Sequence, residues 1–261
     1  DKKGKNKSLI DSVSIENTNP QPELNLRGNY YALIIGSEDY INEKIPDLDN
    51  PVKDAETFYE ILINNYTFKE NNVKLCKNPT KDEILSQLDN FANIISNNDN
   101  FLIFYAGHGE WDSEFREGYW LPVDANMGRG TWISNGTIQT YLRGIGARNT
   151  LLIADACFGG AIFKARAFLN LEGETVEKLY YLPSCKAMTS GNMTEVPDKS
   201  VFIEYLGQRL IENKNKYLSS EQLFSSFKIA VINNSSNMQI PQFGVVREAG
   251  DQGGDFIFIK K

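Results

Sequence analysis

The sequence predicts an α/β fold with a mainly parallel central sheet flanked by helices on both faces. Two observations predict it. Three short runs, Tyr30–Gly36 (YYALIIG), Asn100–Ala106 (NFLIFYA) and Asn149–Asp155 (NTLLIAD), are almost wholly apolar, as strands buried on both faces are. Segments with the 3.6-residue period of helices lie between and after them, which is the alternation of βαβ units. The length, 261 residues, suits one such domain.

The elements follow in order. After the Tyr30–Gly36 strand, a helix is expected over residues 51–63. Pro51 suits a first helical position, and Val52, Ala55, Phe58, Tyr59 and Leu62 fall at helical spacing. Asn72–Cys76 reads as a short strand. A second helix starts at Thr80, with Ile84, Leu88, Phe91 and Ile95 on one face. The Asn100–Ala106 strand comes next. Tyr119–Val123 is expected as a short edge strand or ribbon, because Pro122 has no N–H to give a ladder. Ser134 is a good N-cap for a helix to Ile145, and Asn149–Asp155 is the next buried strand. Residues 160–185 look irregular. A strand near Lys186–Ser190, helices near 200–213 and 219–233, and a closing strand at Asp255–Ile259 complete the reading.

Residues 1–28 are a polar leader rich in lysine and asparagine, with Pro20 and Pro22, and read as a tether. The chain opens on Asp1 rather than Met, which reads as a processed start, with any signal peptide out of sight.

Composition narrows the function. With 27 Lys and Arg against 34 Asp and Glu, the net charge is −7 and there is no basic stripe, so nucleic acid is not an expected partner. No apolar run approaches the ~20 residues of a membrane span. The cysteines, Cys76, Cys157 and Cys185, are odd in number and form no C-x-x-C, which argues against a disulfide framework or a zinc ribbon. His108 is the only histidine, so no transition-metal site is expected. Few cysteines suggest a reducing, cytoplasmic setting, with an exported or envelope-tethered form as the alternative.

The chemistry gathers at two strand ends. Gly107-His108-Gly109 follows the Asn100–Ala106 strand, and Ala156-Cys157-Phe158-Gly159-Gly160 follows Asn149–Asp155. Reactive groups in open α/β sheets collect at the carboxyl ends of strands. Neighbouring strands are ~4.8 Å apart, so side chains leaving adjacent ends can face each other. A thiol becomes a good nucleophile beside a base, and imidazole is the best base near neutral pH. The N–H groups of Gly109 and Cys157 are candidates to meet a developing oxyanion. The competing reading is a structural histidine and an inert buried cysteine. Cys76 and Cys185, with no histidine near in sequence, read as packing residues, and Trp111 and Trp120 as packing residues or walls of a cleft. No nucleophile elbow, Walker A loop, G-x-G-x-x-G or H-E-x-x-H motif occurs.

The Asp155-Ala156-Cys157-Phe158-Gly159 run, with His108 placed 49 residues earlier inside Tyr-Ala-Gly-His-Gly, resembles the caspase signature. The wider chain is similar to the bacterial caspase-like and metacaspase branch. Matching pieces are ALIIG at 32–36, Lys53-Asp54-Ala55, LPVDA at 121–125, TWIS at 131–134, TSG at 189–191, SVF at 200–202 and GGDFIF at 253–258. The resemblance implies a caspase-like αβα sandwich. It divides the chain into a leader or pro-segment, 1–28, and a peptidase domain, 29–261. Within the domain it implies a large-subunit-like part at about 29–160, a linker at 161–186 and a small-subunit-like part at 187–261. It implies a cysteine endopeptidase with His108 and Cys157 as the dyad and Gly109 as an oxyanion-hole donor.

True caspases carry glutamine two residues before the nucleophile and cleave after aspartate. This chain has Asp155 there, as metacaspases do, which implies a pocket for Arg or Lys. Charge agrees, because a carboxylate on a pocket floor attracts a guanidinium and repels an acid. The bland alternative is that Asp155 only ends its strand. Asp54 stands where metacaspases carry another pocket acid, although Pro51 replaces a cysteine of that motif. A first-turn aspartate that simply stabilises its helix is the competing reading. Met188-Thr189-Ser190-Gly191 resembles the segment that pairs with substrate, with Ser190 as a contact. Lys164, Arg166, Lys178 and Lys186 make the linker a candidate for self-cleavage. No cofactor is expected. Calcium dependence is a family trait, but no D-x-D-x-D-G loop is present, and Asp47 and Asp49 read equally as a solvated loop. The rival functional readings are a caspase-fold interaction module or latent zymogen, whose basic leader occupies an acidic cleft, and a flavodoxin-like small-molecule binder.

Overall fold

The computed structural model describes residues 24, 26–156, 162–164, 174–191, 200–235 and 239–261. The three apolar runs form strands with the bounds the sequence suggests: β1 (Tyr30–Gly36), β3 (Asn100–Ala106) and β7 (Asn149–Asp155). The first crossover is α1 (Pro51–Asn65), β2 (Val73–Lys77) and α2 (Lys81–Ile94). Pro51 opens α1, and Thr80 caps α2 in a reciprocal capping box with Glu83. A small antiparallel sheet follows β3 and is built from β4 (Gly109–Asp112), β5 (Glu117–Trp120) and β6 (Ile133–Ser134). The expected ribbon at 119–123 thus begins and ends earlier. Leu121 makes the last cross-strand bond, to His108 O, and Pro122 has no donor to extend the ladder. After α3 (Asn135–Ile145) and β7 come β8 (Phe163–Lys164), α4 (Glu174–Tyr181), β9 (Ser184–Thr189), α5 (Val201–Glu212), β10 (Tyr217–Ser219), α6 (Ser220–Asn234), β11 (Gln242–Val246) and β12 (Ile257–Ile259).

The central sheet has the order β2-β1-β3-β7-β9-β11-β8. The five strands from β2 to β9 are parallel, β11 runs against β9, and β8 runs against β11. The closing strand β12 lies outside this sheet and, among the described residues, pairs with β10. Residues 160–185, expected to be irregular, hold α4. Its apolar positions Val176, Leu179 and Tyr180 have helical spacing but fill only two turns.

Side-chain alternation along the strands divides the core into two layers. Ala32, Ile34, Leu102, Phe104, Leu151 and Ile153 face Phe58 and Leu62 of α1, Phe202 and Leu206 of α5, and Phe227 of α6. Leu33, Ile35, Ile103, Tyr105, Leu152 and Ala154 face Leu88 and Phe91 of α2 and Ile138 and Leu142 of α3. Each such large side chain contributes about 1.5–3 kcal/mol by burial, which makes the sheet a rigid platform for whatever its carboxyl ends carry.

Candidate active site

The site begins where β1, β3 and β7 end together. Gly36, Ala106 and Asp155 are register partners across the three strands. The ladder continues one step further: Ser37 N–H donates to Ala106 O at 2.9 Å and Gly107 N–H to Asp155 O at 3.5 Å. Gly107 then turns the chain with φ +155°, and a Cβ there would stand 3.0 Å from the Tyr105 hydroxyl and 3.1 Å from Ser37. Only glycine fits both the torsion and the space. The next residue, His108, emerges half-buried at the head of the small sheet.

Every polar group of His108 that the structure assigns has a fixed partner. Its N–H donates to the Tyr40 hydroxyl at 2.8 Å, and its carbonyl accepts from the Tyr105 hydroxyl at 2.7 Å. The Tyr40 ring lies against the imidazole with centroids 4.9 Å apart. Burial pushes the Tyr40 and Tyr105 hydroxyls well above the usual phenol range, so both stay protonated. Nε2 lies 2.8 Å from the Pro46 carbonyl. A carbonyl only accepts, so the neutral ring carries its proton on Nε2 and keeps Nδ1 as its basic nitrogen. The loop that presents Pro46 is seated by a small separate core of Tyr40, Ile45, Leu121 and Ala125. Asp47 of that loop accepts from Tyr40 N–H at 2.8 Å, so it braces the turn.

Gly109 opens β4 opposite Trp120. Leu121 N–H donates to His108 O at 3.1 Å. That bond marks Gly109 and Trp120 as a non-hydrogen-bonded pair, so the Gly109 N–H points away from β5. Cys157 lies outside the described residues, as do Phe158, Gly159 and Gly160. The last described residue before it, Ala156, is buried.

A second group forms beside Asp155, which is 6% exposed. Ser190 N–H donates to Ala154 O at 3.1 Å, which sets Ser190 against the end of β7. Burial pushes the Asp155 carboxyl from 3.8 up to about 6, against the stabilising hydroxyls of Ser190 and Ser200. The Ser190 hydroxyl is near Asp155 without meeting hydrogen-bond geometry. Asp155 Oδ1 and Ser190 Oγ are both buried without a hydrogen-bond partner among the described residues. Asp54, half-buried in the first turn of α1, is also pushed up to about 6, first by burial and then by the Asp155 charge. Lys53 opposes that rise and Glu38 adds to it. Asp54 and Asp155 are thus close enough for their charges to interact, and Ser190 and Ser200, the N-cap of α5, lie beside Asp155.

Sequence reasoning missed Tyr40, the Pro46 carbonyl and Ser200. Only Ser200 carried a local signal, as a serine before an apolar helical run. Trp120 is a core residue, stacked on Tyr105 at 4.4 Å, while Trp111 is half-buried on β4. Cys76 and Cys185 are buried free thiols in the α2–α3 layer, and burial raises both above the usual thiol range. Among the described residues no group of three or more His, Cys, Asp or Glu stands together to hold a metal ion, and no helix is long and apolar enough to cross a membrane.

Comparison with known proteins agrees with this architecture. Protein GSU0716 from Geobacter sulfurreducens, known from its crystal structure, superposes with a TM-score of 0.59 at 16% identity, over 86% of this chain and 97% of that one. At that identity the likeness establishes the fold alone. No curated protein matches the sequence significantly. The caspase domain family matches residues 29–247, from the strand that starts the sheet to the end of β11. The match takes in both strand ends that carry the candidate chemistry, and the chain belongs to the caspase domain family.

Proposed function

We propose that the protein is a cysteine endopeptidase that cleaves after Arg or Lys. The observation that carries this reading is the register of β3 and β7. Ala106 stands opposite Asp155, and the two groups a dyad needs, His108 and Cys157, each follow two residues later. The Pro46 carbonyl supports it further by leaving Nδ1 of His108 as the base.

In this reading Nδ1 takes the Cys157 thiol proton, and the thiolate attacks the scissile carbonyl. The N–H groups of Gly109 and Cys157 hold the tetrahedral oxyanion. His108 returns the proton to the leaving amine, and a thioester acyl-enzyme remains. Water, deprotonated by the same imidazole, then releases the acid and restores the thiol. Asp155 and Asp54 receive the basic side chain, whose donors satisfy the bare Asp155 Oδ1. Ser190 lines that pocket. No metal enters the scheme, and calcium is added to the assay as a variable.

A fluorogenic peptide panel varied only at the residue before the scissile bond tests the proposal. Arg and Lys substrates should turn over, and Asp substrates should not. His108→Ala should lose at least ~10²–10⁴-fold, and Cys157→Ala should lose all activity, with or without calcium. Turnover of Asp in preference to Arg would remove the specificity and leave the enzyme class; activity that survives in Cys157→Ala would remove the class.

A further inference from the structure

The loop that joins β1 to α1, residues 37–50, reaches His108 at its tip and is tied to the body at both ends. Near its start, Glu38 N–H donates to Asn78 Oδ1 at 2.8 Å, and Ile41 N–H to Val123 O at 2.9 Å. Near its end, Leu48 N–H donates to Glu38 O at 3.1 Å, and Glu38 Oε2 accepts from Val52 N–H in the first turn of α1 at 2.9 Å. The tip between these ties carries Pro46, which is exposed. An exposed proline is placed by its neighbours. On one side Ile45 is buried in the small core beside Tyr40. On the other, Asp47 Oδ1 accepts from Tyr40 N–H at 2.8 Å.

Tyr40 touches each part of this arrangement. Its hydroxyl accepts from His108 N–H at 2.8 Å and donates to Ser37 O at 3.3 Å, so both its capacities are used. Burial raises the phenol, so the proton given to Ser37 stays on it. Its ring lies against the imidazole, with centroids 4.9 Å apart and planes tilted by 45°. Its own N–H holds Asp47, next to Pro46, whose carbonyl stands 2.8 Å from Nε2. Tyr105 fixes the backbone from the other side through its hydroxyl on His108 O. An imidazole is free to turn about χ1 and χ2 until packing stops it. Here one face meets the Tyr40 ring and one edge meets the Pro46 carbonyl, and both depend on the same tyrosine.

We propose that Tyr40 is a positioning residue for His108: it aligns the imidazole with the Pro46 carbonyl, so that Nε2 is occupied and Nδ1 is left as the base. Asp47 serves this alignment as a hydrogen-bond acceptor, and its charge is not required. The alignment stands on the contacts of Tyr40; its effect on turnover rests on the peptidase reading.

His108 is the only histidine, so NMR of the full chain reads its ring directly. In the Cys157→Ala background the ring protons should be displaced from free-imidazole positions by the Tyr40 ring, and an Nε2–H signal should be visible because the Pro46 carbonyl slows its exchange. Tyr40→Leu and Asp47→Ala should return the ring protons to free positions and lose the Nε2–H signal. Asp47→Asn keeps the acceptor oxygen and should preserve both. In the otherwise native chain Tyr40→Phe removes only the hydroxyl and should lower kcat for an Arg peptide roughly tenfold, and Tyr40→Leu about 10²-fold, with KM little changed. Tyr66→Phe is the structural control. It too removes a buried hydroxyl, one that donates to Leu210 O at 2.8 Å, but at the other end of α1. It should leave kcat unchanged even where its melting temperature falls as far as that of Tyr40→Phe. Ring signals that do not respond to Tyr40→Leu, an Asp47→Asn spectrum like that of Asp47→Ala, or an equal loss of kcat in Tyr66→Phe and Tyr40→Phe would overturn the proposal. Ring signals that respond as expected in a chain with no turnover in any form would leave the alignment standing and remove the peptidase reading.

Discussion

Asp155 carries an electrostatic cost in the free protein. Its carboxyl titrates near 6 in the fold against 3.8 in the unfolded chain, because burial penalises the charge. The folded protein then binds more protons than the unfolded one between these values, so stability falls as pH rises through that window. Two pKa units correspond to about 3 kcal/mol, fully expressed above pH 6 and absent below pH 4. Asp155→Asn keeps the shape and removes the charge. Chemical denaturation should therefore find the variant more stable than the native protein at pH 7.5, with the two converging near pH 4. Parallel stability profiles across that range would refute the assignment. If Asp155 receives a basic side chain as proposed, a guanidinium that neutralises it would restore on binding what burial removes from the free protein.

At the level of elements, the position of Asp54 depends on how closely β1 hands the chain to α1. Gly36 ends β1, and a Cβ there would stand 2.5 Å from Pro51 O and 2.7 Å from Val52 Cα. Both contacts are backbone, so Gly36→Ala must push the first turn of α1 away. A cost of about 1–3 kcal/mol is expected, or roughly 3–10 °C in Tm. KM for Arg substrates should rise more than kcat falls, since the displaced turn holds Asp54 and not His108. Gly144→Ala is the control. It lies in α3 with nothing within 4 Å of the added carbon, and a helix gains about 0.5–1 kcal/mol when alanine replaces glycine. Thermal melts that move in the same direction for both substitutions would contradict this account of the close approach.

Across the whole molecule, one sheet joins segments on both sides of the 161–186 linker. Lys186 is not a loop residue: it is buried within β9, 3.3 Å from Asp255, with Glu221 at 3.9 Å. Lys178 lies in α4, and Lys164 pairs with Val245 in the sheet. Of the four basic residues that mark the linker, these three belong to regular elements, while Arg166 lies outside the described residues. Self-cleavage, if the proposed peptidase performs it, should fall after Arg166. Intact-mass analysis should find fragments 1–166 and 167–261 in the active protein, still associated after gel filtration, and one uncut chain in Cys157→Ala. A cut after Lys178 or Lys186 would count against the described packing.

The parallel sheet was legible because β1, β3 and β7 are buried on both faces and their residues say so without help from neighbours. The position of His108 at the end of β3 was legible because it directly follows an apolar run and a glycine, while the cysteine segment lies outside the described residues. The antiparallel β4, β10 and β11 were not legible, since short half-exposed strands owe their existence to partners distant in sequence. For the same reason Tyr40 and the Pro46 carbonyl were invisible: their role depends on a loop folded over His108 from 62 residues away. Sequence alone determined the fold class and the strand ends at which His108 and Asp155 stand. Only the tertiary structure decided that the Asp54 and Asp155 carboxyls stand close enough for their charges to interact, and that the Pro46 carbonyl faces Nε2 of His108. Those facts are set by long-range packing and desolvation, which no local pattern of residues encodes.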